Sequence, residues 1–111
     1  MSKEDVVSAV RSAGLPVAHM AFPVGSKQGL PYCVFYADEV DALFADNANY
    51  AEVTSWVLEL YQDQGDAESE QRLDAAVARA FGPYRKWDAW VESEGCVQTT
   101  YAFSQVERKQ G

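Results

Sequence analysis

Few residues in this sequence could support catalysis or metal binding, and they form no recognised motif. His19 is the only histidine, and no serine or cysteine motif lies near it, so a histidine base has no evident partner. Cys33 and Cys96 lack CxxC spacing, and two cysteines with one histidine fall short of the four ligands of a structural zinc site. We therefore expect both cysteines to be buried thiols that form no disulfide.

Carboxylates are the remaining candidates for chemistry. Four of them share one polar segment: Asp38, Glu39, Asp41 and Asp46. They lack the alternating spacing and the distal glutamate of a calcium loop. Glu92 and Glu94 flank a predicted hairpin tip, where exposed carboxylates rarely have the shifted pKa that acid–base catalysis requires. No glycine-rich phosphate loop is present. The sequence thus predicts a protein that is not an enzyme and that uses no metal or cofactor.

Length and charge narrow the possible partners. The chain has 111 residues, which predicts a single domain over residues 1–111. Its formal charge of −8 argues against sequence-independent binding to nucleic acid and against an anionic membrane surface as partner. No apolar run approaches the ~20 residues of a membrane helix, and residues 1–5 show no apolar signal segment. We therefore expect a cytosolic protein. Three Trp, six Tyr and five Phe supply rigid contact area for a core or an interface.

Two helices can be read from apolar periodicity. Residues 3–13 carry one apolar stripe, and Gly14 followed by Pro16 ends that helix. Residues 67–81 carry a second stripe of five residues: Leu73, Ala76, Val77, Ala80 and Phe81. Asp66 is a good N-cap for this helix, and Gly82 with Pro83 stops it.

The remaining segments predict strands. Residues 17–22 form a short extended piece, and residues 30–36 and 53–61 are rich in aromatic and β-branched residues. We expect residues 38–50 to form a long polar loop between these two strands. Residues 84–91 and 96–106 predict a hairpin with a turn at 92–95, and residues 107–111 predict a frayed tail. This order favours an α+β fold: an antiparallel-dominated four- to five-stranded sheet with two helices packed on one face.

Taken as a whole, the chain resembles a family of small structural proteins of long-tailed phages and prophages, described as tail terminator, tail completion or head–tail joining proteins. The resemblance covers nearly the whole length and depends on an ordered set of short pieces. In the first half these are Gly14, Leu15, Pro16, Val17, Ala18, Phe22, Leu30, Pro31, Tyr32, Phe44, Ala45, Asp46, Asn47 and Tyr50. In the second half they are Leu58, Glu59, Leu60, Tyr61, Glu70, Leu73, Glu92, Ser93, Glu94, Tyr101, Ala102 and Phe103.

The resemblance implies a non-enzymatic subunit of a ring, expected to be a hexamer, that caps the tail tube and links it to the head connector. The implied partners are other copies of the chain, the tail tube protein and the head connector proteins. The implied location is the bacterial cytoplasm during assembly and then the virion, with DNA passing through the ring. We expect six residues to contribute to the interface: Leu43, Phe44, Asp46, Asn47, Tyr50 and Trp56.

Two other classes of function remain open from the sequence. One is a small α+β module that binds a ligand or partner through an aromatic face, which would elute as a monomer with a bound small molecule. The other is an enzyme with an unusual carboxylate site, whose turnover would vanish on Glu92→Gln or Asp46→Asn.

Overall fold

The computed structural model describes residues 3–22, 29–44 and 49–110, and within them it shows two helices and five strands. In chain order these are α1 (Lys3–Ser12), β1 (Val17–His19), β2 (Tyr32–Phe44), β3 (Asn49–Gln62), α2 (Ala67–Phe81), β4 (Arg85–Val91) and β5 (Cys96–Gln110). The expected α+β class, the strand number and the two helix positions are confirmed.

The strands form one sheet in the order β1-β2-β3-β5-β4. The β2–β3, β3–β5 and β4–β5 pairs are antiparallel, and the short β1 pairs with β2 in parallel. The antiparallel pairs match the antiparallel-dominated sheet predicted from the sequence. The parallel pairing of the edge strand β1 was not predicted. Gly14, at φ 78°, ends α1 and turns the chain so that β1 runs alongside β2.

Both helices pack on the same face of the sheet. From α1 the residues Val6 and Val10 are fully buried, and from α2 Leu73 and Val77 are fully buried. They meet the inward side chains of the three central strands: Cys33, Phe35, Trp56, Leu58, Leu60, Tyr101 and Phe103. The prediction for one residue of the apolar stripe of α2 is wrong, because Ala80 is exposed. The predicted cap of α2 is present, because Asp66 Oδ1 accepts a hydrogen bond from the Ser69 amide at 3.2 Å.

A polar network fastens α2 to the sheet beside this apolar core. The Tyr101 hydroxyl donates to Asp74 Oδ1 at 2.7 Å, and the Lys86 ammonium contacts both Glu70 and Asp74 at 2.7 and 3.1 Å. Burial, and secondarily the hydrogen bond to Asp74, raises the pKa of the Tyr101 phenol well above its usual range. The hydrogen bond from Lys86 lowers the pKa of Glu70, with the Gln62 amide as a second donor. The helix is thus held by polar contacts as well as by apolar packing.

The structure corrects two predictions for the middle and the end of the chain. Residues 38–44 and 49–50 do not belong to a long polar loop, because β2 continues to Phe44 and β3 begins at Asn49. Residues 45–48, which the same prediction covered, lie outside the described residues. Residues 107–110 are not a frayed tail, because β5 continues through them along β3. Both segments become strands for the same reason: their backbones pair with β3, although the apolar alternation of a half-buried strand is weak in residues 38–44 and absent in residues 107–110.

Candidate assembly interface

The corrected segments form a three-stranded extension that we call the arm: residues 38–44 of β2, 49–55 of β3 and 104–110 of β5. Toward the arm, the last core residue of β3 is Trp56 and the last core residue of β5 is Phe103. Beyond them the sheet continues away from the main core, and the molecule measures 51 × 30 × 22 Å. Both faces of the arm therefore carry exposed side chains, as both faces of β4 do.

The base of the arm is fixed by two features. A register shift between Ala37 and Glu39 marks an irregularity in β2 at the point where it leaves the core. Such bulges bend a strand and increase its twist. Next to it, the Trp56 indole N–H donates to Gln105 Oε1 at 3.0 Å, which joins β3 to β5. Trp56 also packs against Phe35 with ring centroids 5.7 Å apart. The arm is thus anchored on the core and is an integral part of the sheet.

Large apolar side chains lie exposed on both faces of the arm. Phe44 is 75% exposed, and its ring lies 4.9 Å from that of Tyr50 near the end of the arm. By the strand register, Val40 and Phe44 lie on the face that carries the helices, whereas Leu43 and Val106 lie on the opposite face, which we call the open face. These residues gain nothing from exposure to water, so the arm is a candidate contact surface.

The predicted interface residues are distributed unequally. Leu43, Phe44 and Tyr50 are brought together on the arm. Trp56 lies in the core at 7% exposure, where its side chain supports the arm from inside. Asp46 and Asn47 lie outside the described residues. The role of the arm residues in a contact stays a prediction.

The open face carries a cluster of tyrosines below the arm. The rings of Tyr32 and Tyr61 stack at 5.0 Å, and Phe22 meets Tyr32 edge-on at 5.5 Å. The Tyr61 hydroxyl donates to Glu59 Oε1 at 3.2 Å and accepts from the Gln98 amide at 2.9 Å. Burial, and next the neighbouring Glu59 charge, raises the pKa of Tyr61 to about 12. These phenols stay neutral near pH 7 and can offer both apolar surface and hydrogen bonds.

The residues considered for catalysis or metal binding do not lie together in one site. His19 is exposed, and its ring lies 5.0 Å from Phe35. Cys33 and Cys96 are buried and form no disulfide, as predicted, and burial raises the pKa of Cys33 to about 12. Within residues 3–22, 29–44 and 49–110, no group of three or more His, Cys, Asp or Glu side chains is placed to hold a metal ion. The helices in those ranges are also too short or too polar to cross a bilayer.

Sequence reasoning missed the arm, although a weak signal was present. Val40, Ala42 and Phe44 alternate with Asp41 and Leu43, which is the period of a strand. The acidic composition of residues 38–41 favoured a loop. The sequence predicted no helix or strand that would cover this segment, so nothing else favoured a strand there.

Comparison with known proteins gives one informative result. No protein-family model matches the chain, and no curated protein is significantly similar to it. Among solved structures, the fold is similar to that of a chain in the virion of a native gene transfer agent particle, with a TM-score of 0.64 and 20% sequence identity. The alignment covers 98% of this chain and 91% of that chain. The likeness therefore extends over the whole α+β fold, including the sheet from which the arm extends.

Proposed function

We propose that this chain is a structural subunit of a phage-like virion, and specifically a tail-terminator-type subunit that assembles with copies of itself into a ring. The ring, expected to be a hexamer, closes the end of the tail tube and meets the head connector. The protein acts by assembly and not by catalysis.

One observation carries the proposal: the arm is an integral part of the sheet that leaves large apolar side chains in water. Phe44, Leu43, Val40 and Val106 are each more than half exposed. A folded domain that exposes such residues together on one extension is built for contact with another protein. The similarity of the fold to a chain of a gene transfer agent virion supports a particle as the setting for that contact, as does the resemblance to the tail terminator family.

The charge of the chain agrees with this role. A ring through which DNA passes needs a wall that does not hold DNA, and a chain of net charge −8 repels phosphate.

Imaging and sizing of the purified protein test self-assembly directly. We expect negative-stain images of concentrated protein to show rings and analytical ultracentrifugation to show a concentration-dependent oligomer. Phe44→Ala should leave the thermal midpoint almost unchanged, since substitutions at exposed sites usually change stability by less than ~0.5 kcal/mol, and it should abolish the rings. A monomer at every concentration that carries a bound small molecule would instead favour the ligand-binding module.

Coexpression with the neighbouring structural genes tests the place of the ring in the particle. We expect the wild-type protein to cap tail tubes at one end and the Phe44→Ala variant to leave those ends uncapped. A Phe44→Leu variant is the matched control, because it keeps an apolar side chain at the same exposed position. Tubes that are capped equally well by all three proteins would contradict the assigned role of the arm.

A further inference from the structure

The two long sides of the arm have no described strand beside them. β1 pairs with β2 only at Cys33, Val34 and Phe35, so β2 continues to Phe44 without a neighbour on that side among the described residues. Likewise β4 begins at Arg85, opposite Ala102, so no described strand lies beside β5 from Phe103 onward. We call these two sides the β2 edge and the β5 edge. Open edges present backbone N–H and C=O groups that can pair with another chain.

The two edges carry opposite charges on the same face of the sheet. On the β2 edge, Glu39 and Asp41 are exposed, and their partners Ser55 and Val53 place them on the open face. On the other side, Arg108 and Arg85 are exposed and lie on that same open face. Among the described residues, neither Glu39 nor Asp41 makes an ion pair within the subunit. Each edge therefore has charge available for a partner that extends the sheet.

The helix-bearing face of the edges is complementary in apolar character. Phe44 and Val40 project from the β2 edge on this face. Where β4 begins beside β5, a notch of about 380 Å³ opens at the edge of the sheet. It is lined by Phe81, Pro83, Tyr84, Arg85, Ala102, Phe103 and Ser104. The rings of Phe81 and Phe103 stack at 4.4 Å and form an aromatic wall of this notch. A strand laid along the β5 edge would bring its apolar side chains toward that wall.

We propose that the β2 edge of one copy pairs with the β5 edge of a second copy, so that the sheet continues from subunit to subunit. This inference rests on the self-assembly in the proposed function and names the two surfaces that carry it. Because the two edges differ, the contact is heterologous, and repetition of it closes a ring when the rotation permits. β2 and β5 both run antiparallel to β3, so they run in the same direction. Subunits related by an axis near the strand direction therefore pair these edges in parallel.

Charge-reversal variants distinguish pairing of the two edges from a general effect of the net charge of the chain. An acid-reversed variant, Glu39→Lys with Asp41→Lys, changes the net charge from −8 to −8 + 4 = −4. A base-reversed variant, Arg85→Glu with Arg108→Glu, changes it to −8 − 4 = −12. The doubly reversed variant carries all four substitutions and returns to −8, the net charge of the natural chain.

The expected result has three parts, measured by sedimentation at one ionic strength. Each singly reversed variant should associate at least about 100-fold more weakly than wild type, because like charges then face each other across the contact. The doubly reversed variant should regain assembly. An equimolar mixture of the two singly reversed variants should also regain assembly, with the two variants alternating, because both contacts between unlike variants join opposite charges.

A control on another part of the surface completes the design. Glu92→Lys with Glu94→Lys also brings the net charge to −4, but it alters the turn between β4 and β5. This variant should assemble like wild type, and circular dichroism should show every variant folded.

The outcomes distinguish this inference from the proposed function. Edge variants that remain folded and assemble like wild type would overturn the edge pairing and leave the ring in place. Edge variants that assemble normally but fail to cap tail tubes would assign the edges to another protein, which also overturns the inference. Wild-type protein that stays monomeric with and without tail tubes would refute the ring itself.

Discussion

Leu73→Ala tests whether the apolar stripe of α2 supports the fold as the structure shows. Leu73 is fully buried between α2 and the sheet. Loss of its isopropyl group removes three carbon atoms from the core, worth about 2.4 kcal/mol of transfer free energy at ~0.8 kcal/mol each. The cavity left behind adds to this loss, so the free energy of unfolding should fall by ~2–5 kcal/mol in total.

The same loss can be expressed as a temperature. Unfolding entropy near 60 °C is about 2.1 cal/mol/K per residue, which gives roughly 230 cal/mol/K for 111 residues. A loss of about 3 kcal/mol should therefore lower the thermal midpoint by roughly 13 °C. Urea denaturation followed by circular dichroism gives the free energy, and calorimetry gives the midpoint.

Leu43→Ala is the matched control, because it makes the same chemical change at a position that is 57% exposed on the arm. It should change the free energy of unfolding by less than ~0.5 kcal/mol, measured at a concentration where the protein is monomeric. A loss below about 1 kcal/mol for Leu73→Ala, or equal losses for the two variants, would refute the placement of α2 on the sheet.

Three further predictions concern local interactions. Asp66→Ala should lower the free energy of unfolding by ~0.5–2 kcal/mol through loss of the helix cap, with Asp66→Asn as the control that keeps an acceptor, and equal stability of all three proteins would argue against capping. The hydrogen bond from Lys86 lowers the pKa of Glu70 below 4.5, so its stabilisation is present above that pH and is lost as the pH falls through the folded-state pKa. The loss of stability in Glu70→Gln should accordingly be larger at pH 7 than at pH 3 by urea denaturation, and a loss independent of pH would contradict the assignment. Burial raises the pKa of Cys33 to about 12, so in a Cys96→Ser background this thiol should resist a thiol-specific colorimetric reagent at pH 8 until the protein is unfolded, and rapid labelling of the native protein would show that it is accessible.

The sequence determined the elements whose signals are local. The period of Val6 and Val10 located α1, and Asp66 and Gly82 bounded α2. The turn at residues 92–95 located the β4–β5 hairpin. These signals act within a few residues of the chain, because helix caps, helical periodicity and tight turns depend on neighbouring residues. The α+β class and the placement of both helices on one face follow from them.

Only the tertiary structure decided the arm and the order of the sheet. Residues 38–44 and 107–110 bury little apolar surface, so their strand conformation comes from pairing with β3. β5 lies far from β3 in the sequence, so no local pattern predicts that pairing. The place of Trp56 was decided in the same way: its neighbours on β2 and β5 make it the inner support of the arm and remove it from the surface. Pairing between distant strands leaves no local mark in a sequence. For that reason the sequence offered contact residues in this stretch only as a prediction, which it remains, while the form of the stretch as an open-edged sheet emerged only in three dimensions.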